Sequence, residues 1–352
     1  MREIFVRTGH AYSVIVGHGL LQEAGQRLKP YFKGKNLCIV SDDKVNALHG
    51  DALACSLEQV GYRVCRFVFP AGEASKNGNT YLDLLGFLAQ QELSRSDGIV
   101  ALGGGVTGDL AGFAAATYLR GISYAQIPTS LLAMVDSSVG GKTAIDLPQG
   151  KNLVGAFYQP KIVLCDVNLL DTLPQTAFLD GCAEIIKYGV IGNRPLFDHL
   201  VQQGPDFDRE DVIARCVQQK ADVVAQDETD NGLRQLLNLG HTVGHAIERC
   251  SNLAWSHGCA VAAGMAIVAR SAAKAGLCSA ADAAAVQALL KQFDLPVQCA
   301  FTAAQLAAAA LSDKKRRGES LTLVLPYGVG DTRLYPIRVA ELEAFLEGGM
   351  QP

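Results

Sequence analysis

Three of the seven histidines in this 352-residue chain, His241, His245 and His257, fall close together. On one helix, Asn238, His241, His245 and Glu248 step by three, four and three residues, so the spacing predicts a shared face. Imidazoles this dense can bind a divalent cation or move protons. The competing reading is a set of buried, hydrogen-bonded core histidines. Glu184 and Lys187 are three apart in an apolar stretch, which predicts a common, buried helix face. They form either a plain buried ion pair, or Glu184 completes a His/His/Glu metal site with its fourth position open to substrate. His241 and His245 have the i, i+4 spacing of zinc peptidases. Thr242 stands where that motif carries glutamate, which disfavours a peptidase. His257 competes with His245 as the second imidazole ligand, and spacing does not decide between them.

A second constellation lies earlier. Gly103-Gly104-Gly105-Val106-Thr107-Gly108-Asp109 satisfies Gly-x-Gly-x-x-Gly between an expected strand, 97–102, and an expected helix, 110–118. Such glycines let backbone approach a pyrophosphate at a helix N-terminus, where unpaired N–H groups and the dipole favour an anion. A tight structural turn is the competing reading. The run sits near residue 105 rather than near the start of the chain, so a variant nucleotide fold is expected rather than a standard Rossmann half. Gly140-Gly141-Lys142-Thr143 imitates the end of a phosphate-binding loop. Asp136 occupies the place of its first glycine, which rejects an ATPase. Lys142, and Lys151 beyond it, still suit an anionic ligand.

Positioning these groups needs a large fold, and 49% hydrophobic residues supply its core. A net charge of −4 argues against nucleic-acid partners, because no excess of Lys and Arg is available to neutralise phosphates. The ten cysteines are scattered singly, with no Cys-x-x-Cys, as in a reduced cytoplasmic protein. Charges inside the first apolar run argue against a signal peptide. The apolar run 259–269 is too short to span a bilayer, so no membrane partner is expected. Strand and helix alternate up to about residue 165: an opening hairpin at 3–7 and 12–16, then strands 36–42, 63–69, 97–102, 124–127 and 161–166. This predicts a right-handed parallel α/β sheet. Beyond it, helices dominate: 175–188, 209–227, 233–250, 258–275, alanine-rich segments in 280–310, and 338–346, with one short strand at 321–326. The expected domains are 1–165, an α/β nucleotide domain, and 166–352, a helical metal and substrate domain.

Further motifs run in order: Pro70-Ala71-Gly72-Glu73 with Lys76, the 103–109 run, Tyr118-Leu119-Arg120-Gly121, the stretch from Pro128 to Thr143, and Gly150-Lys151-Asn152. Ala183-Glu184-Ile185-Ile186-Lys187-Tyr188-Gly189, Asp227-Glu228 with Arg234, the stretch from Leu237 to Glu248, and Asp313-Lys314-Lys315 complete the set. Taken together, these motifs resemble the 3-dehydroquinate synthase family over essentially the whole chain. The resemblance implies a Rossmann-like parallel-sheet domain followed by a helical one, NAD, and one divalent metal, zinc or cobalt. It implies Glu184, His241 and His257 as metal ligands, and frees His245 as a base near the substrate phosphate. NAD positions are implied at Ala71, Gly72, Glu73, Ala74, Ser75, Lys76, Gly105, Val106, Thr107, Gly108, Asp109, Thr129, Ser130, Lys142, Lys151, Leu169, Leu170, Asp171 and Thr172. Asp42, the acid ending the strand 36–42, is taken with them. Substrate positions are implied at Asp136, Lys142, Asn152, Lys187, Lys220, Arg234, Asn238 and one of Lys314 and Lys315. Arg120 matches a residue that reaches the phosphate from a neighbouring subunit, which implies a homodimer.

The implied reaction turns 3-deoxy-D-arabino-heptulosonate 7-phosphate into 3-dehydroquinate and phosphate, through transient oxidation, phosphate loss, re-reduction and aldol closure. Four positions depart from the family's usual pattern: Asp230 for Glu, Cys259 for Glu, and Ile145-Asp146 for Val-Asn. The alternatives are another sugar phosphate cyclase, a metal-dependent NAD alcohol or glycerol dehydrogenase, and a nucleotide-binding protein without activity.

Overall fold

The computed structural model describes residues 1–252, 254–311 and 320–351. The chain divides into two units: Met1–Pro174 with Arg209–Thr229, and Gln175–Asp208 with Asp230–Pro352. The expected division at 165/166 therefore moves to 174/175, because the turn Val167–Thr172 continues directly from the last strand of the sheet. The helix Arg209–Gln226, expected in the helical domain, belongs to the first unit. Its buried face, including Val212, Ile213, Cys216 and Val217, packs on the first two strands and on the turn Ala133–Ser137.

In the first unit the strands are β1 (Arg2–Val6), β2 (Tyr12–Gly17), β3 (Asn36–Asp42), β4 (Arg63–Phe69), β5 (Gly98–Gly103), β6 (Ser123–Pro128), β7 (Lys142–Leu147), β8 (Gly150–Phe157) and β9 (Ile162–Asp166). The main sheet has the order β1-β2-β9-β6-β5-β3-β4. The opening β1–β2 pair is antiparallel and the remaining pairs are parallel. Every residue of β5 and β9 is buried, as a sheet covered on both faces requires. Val40, Ile99 and Ala101 of the sheet pack against Leu84 and Leu88 of the helix Gly78–Gln90, and against Leu110 and Phe113 of the helix Gly105–Thr117. The β7–β8 hairpin is not legible in the sequence. The burial of β8 follows no period of two, so no alternation marks it.

One helix begins earlier than expected. It runs from Gly105 to Thr117, so only Gly104 separates β5 from the helix. The later glycines serve close packing. A Cβ on Gly108 would lie 2.7 Å from Gln126 Oε1, and one on Gly112 2.4 Å from Thr143 Cγ2.

The second unit contains the helices Gln175–Gly192, Arg194–Gln203, His241–Cys250, His257–Lys274, Ala280–Gln292, Ala303–Ala310 and Val339–Met350. It also contains an antiparallel hairpin, β10 (Ser320–Gly328) with β11 (Asp331–Arg338), where one short strand is expected from the sequence. The expected helix 233–250 is not continuous. A 3-10 turn spans Leu233–Asn238, Gly240 takes a left-handed φ of 77°, and the α-helix starts at His241. Asn238 therefore lies outside the helix that carries His241, His245 and Glu248. The break is a packing requirement. A Cβ on Gly240 would lie 2.8 Å from Val261 O, and one on Gly264 2.2 Å from Gly240 O. Two helices thus meet almost backbone to backbone. No described helix is long and apolar enough to cross a membrane.

Candidate functional site

Three helices of the second unit converge on one point. Gln175–Gly192 brings Glu184, His241–Cys250 brings His241 as its first residue, and His257–Lys274 brings His257 as its first residue. Asp180, one turn before Glu184, anchors the last of these: its Oδ1 accepts from Gly258 N at 3.0 Å and from Ser256 Oγ at 2.5 Å. One helix thereby contributes Glu184 and sets where His257 begins. Glu184 is fully buried, and its Oε1 has no hydrogen-bond partner. His241 Nε2 and His257 Nε2 each stand 3.7 Å from that oxygen. Ligand atoms ~2.1 Å from a tetrahedral zinc are ~3.4 Å apart, so the three groups fit a divalent cation with one position open. A second trio, His245, Glu248 and His257, is equally close-set.

The electrostatics favour positive charge there. Burial works against a charged His257, but Glu184 and Glu248 outweigh it and hold the imidazole up to about 10. Lys187, 1% exposed, pairs with Glu184 Oε2. The two readings of the Glu184–Lys187 pair therefore coexist: it is a buried ion pair, and its other oxygen faces both imidazoles. His245, partly exposed, stacks edge-on to His241 with ring centroids 5.5 Å apart. Arg234, 2% exposed, and Asn238 sit on the 3-10 turn, with Asn238 Nδ2 donating to Gln235 O at 3.0 Å.

The first unit carries the residues expected from the sequence to bind NAD. The helix Gly105–Thr117 has no side-chain cap at its N-terminus. Cβ positions on Gly104 and Gly105 meet only Ser130 Oγ at 3.3 Å and Ser137 Oγ at 3.2 Å, as a bare backbone cradle would. Thr107 Oγ1 is buried without a hydrogen-bond partner. Ser130 Oγ accepts from Ala133 N at 3.3 Å. Asp42 caps the turn after β3, accepting from Lys44 N and Val45 N at 3.0 Å. Asp43 Oδ1 accepts from Ala71 N at 3.0 Å, which fixes the start of the Ala71–Lys76 segment.

Lys76, 4% exposed, is the centre of a carboxylate cluster: Glu73 at 2.8 Å, Asp109 at 3.2 Å and Asp146 at 3.8 Å. Burial pushes Asp109 up to about 6 despite Lys76. Asp146, one of the departures from the family pattern, also accepts from Asn152 N at 2.7 Å. Lys220 Nζ pairs with the Asp136 carboxylate and donates to Asp136 O at 2.7 Å. Lys142 opens β7, Lys151 and Asn152 lie in β8, and Leu169, Leu170, Asp171 and Thr172 form the turn after β9. Arg120 is exposed with a left-handed φ of 66°. Lys314 and Lys315 lie outside the described residues. Glu248 and Asp146 are the site neighbours to which the sequence assigns no role. The only sequence signal for Glu248 is its helical step from His245.

Family models described as the N-terminal and C-terminal parts of 3-dehydroquinate synthase match residues 66–180 and 181–316. A curated relative from Caulobacter vibrioides, "3-dehydroquinate synthase", is 47% identical over 96% of this chain and 95% of its own length. A solved 2-deoxy-scyllo-inosose synthase, complexed with carbaglucose-6-phosphate, NAD+ and Co2+, superposes with a TM-score of 0.89 at 26% identity. It covers 99% of this chain and 100% of that one. A 2-epi-5-epi-valiolone synthase from Streptomyces hygroscopicus, with NAD+ and Zn2+ bound, gives 0.86 at 28% identity over 95% of each chain.

Proposed function

Since the chain belongs to the 3-dehydroquinate synthase family, we propose that it converts 3-deoxy-D-arabino-heptulosonate 7-phosphate to 3-dehydroquinate and phosphate, with NAD and one divalent metal. The observation that carries the reading is the convergence of Glu184, His241 and His257, with both Nε2 atoms 3.7 Å from one buried carboxylate oxygen. These three residues would hold the metal, whose contribution is to polarise adjacent substrate hydroxyls as a Lewis acid. The end of β5 at Gly103, Gly104, the helix start at Gly105 and Ser130 would hold the pyrophosphate of NAD. NAD supplies a hydride acceptor that later returns the hydride.

The rest falls to side chains of this chain. Lys187 pairs with Glu184 Oε2 and leaves Oε1 facing both imidazoles. His245, on the same helix as His241 and partly exposed, carries the proton that accompanies phosphate departure. Within the second unit, Arg234, Asn238 and Lys187 would bind the substrate's anionic and hydroxyl groups; Asp136, Lys142, Asn152 and Lys220 are the further substrate positions that the family pattern implies. Arginine suits the bidentate contacts. Exposed Arg120 would act across a homodimer. The cytoplasm is the expected location.

The test is incubation of metal-loaded protein with the heptulosonate phosphate and catalytic NAD. Phosphate and dehydroquinate should appear with no net NADH. Stoichiometric NADH from a simple polyol would replace the cyclase with a dehydrogenase.

A further inference from the structure

His241 and His257 are held in matching ways. Each presents Nε2 to Glu184 Oε1, and each has an oxygen acceptor behind Nδ1. For His241 the acceptor is the Leu239 carbonyl at 3.1 Å, which Gly240 turns out of the helix ladder. For His257 it is Glu248 Oε1, at 3.6 Å. A neutral imidazole ligates only through the nitrogen that carries no hydrogen, so an acceptor at Nδ1 keeps the proton there and leaves the Nε2 lone pair for a cation. Glu248 is 6% exposed, and it lies one turn beyond His245 on the helix that starts at His241. At 3.6 Å the pair is an ionic contact rather than a full hydrogen bond. Cys259, the residue nearest in sequence that could share this task, is a half-buried thiol rather than a carboxylate.

We propose that Glu248 is a positioning residue for the metal centre: it holds the His257 proton on Nδ1 and aims Nε2 at the site formed with Glu184 and His241. This rests on the reading of Glu184, His241 and His257 as the metal ligands. The second close-set trio, His245, Glu248 and His257, follows from the same geometry. Glu248 belongs to it because it backs His257, not because it touches the ion.

The experiment is zinc titration of metal-free protein against a chromogenic chelator, for the wild type, E248A, E248Q and E184A. Far-ultraviolet circular dichroism at the assay temperature checks the fold. The wild type should bind one zinc per chain. E248A should keep that stoichiometry with an affinity about 10–100-fold weaker. E248Q should fall between the two, because its amide oxygen still accepts from Nδ1–H. E184A should lose the stoichiometric zinc. If E248A does not fold, the nearly isosteric E248Q carries the test through a several-fold loss. Wild-type affinity in both Glu248 variants overturns the proposal. Zinc lost by E248A but kept by E184A also overturns it, by moving the ion to His245, Glu248 and His257. A wild type that binds no zinc defeats the metal reading itself, and the proposal with it.

Discussion

Gly264→Ala tests whether the spacing of two helix backbones sets the metal site. The added methyl would sit 2.2 Å from Gly240 O and 2.9 Å from Gly244 N. Both neighbours are backbone, so no side chain can swing away. Relief to van der Waals separation, ~3.5 Å, needs the helix His257–Lys274 to retreat from His241–Cys250 by about 1 Å. Overpacking of this kind costs about 1–3 kcal/mol. Its larger consequence is geometric. His241 and His257 sit on the two helices being separated, and metal bonds tolerate only about 0.2 Å of error. The expected result is a melting temperature lower by a few degrees, about 2–4 °C per kcal/mol, together with zinc binding weakened at least tenfold in protein that is still folded. Calorimetry of the metal-free protein and chelator competition measure the two effects separately. Gly86→Ala is the control. It lies in the helix Gly78–Gln90 with nothing within 4 Å of its Cβ position, so it should stabilise by about 0.5–1 kcal/mol. Unchanged zinc affinity in Gly264→Ala would refute the claim that the glycine seam fixes the ligand spacing.

Further outcomes follow from the same coordinates. Glu184→Gln takes the carboxylate from the buried Lys187 ammonium, and should cost about 3–5 kcal/mol in denaturant unfolding as well as bound zinc measured by metal analysis. A variant as stable as the wild type would show that the pair contributes little. Asp109, with its carboxyl raised from 3.8 to about 6 by burial, favours the fold while protonated. That contribution is complete below about pH 4 and is lost as pH rises through 6, a swing of about 3 kcal/mol. Asp109→Asn should remove this swing from a series of urea midpoints between pH 4 and 7, and parallel curves for the two proteins would contradict it. His245→Ala should keep zinc and lose turnover, whereas His257→Ala should lose zinc. The opposite pattern would exchange the roles of the two histidines.

Much of the site is written in local sequence. Glu184 and Lys187 share a buried face because their three-residue step lies in an apolar helix. His241, His245 and Glu248 share a face for the same periodic reason. The strands 36–42 and 98–103 are readable because buried parallel strands need uninterrupted apolar runs. Less legible are features that local patterning does not encode. Gly108 looks like a loop residue but lies inside a helix, where Gln126 leaves no room for a side chain. Strand β8 has no alternating pattern to announce it.

By itself, then, the sequence determined the types and rows of the reactive groups, through helical and strand periodicity. Only the tertiary structure decided which rows meet. Spacing left His245 and His257 as rivals beside His241. The convergence of three helices puts His257, not His245, beside the buried Glu184 oxygen, because Asp180 pins the start of the helix that carries it. The break at Gly240, which removes Asn238 from the histidine face, arises from contact with Val261 and Met265 twenty-odd residues away. A packing constraint between distant segments leaves no periodic trace in either one, so it appears only when the helices are brought together.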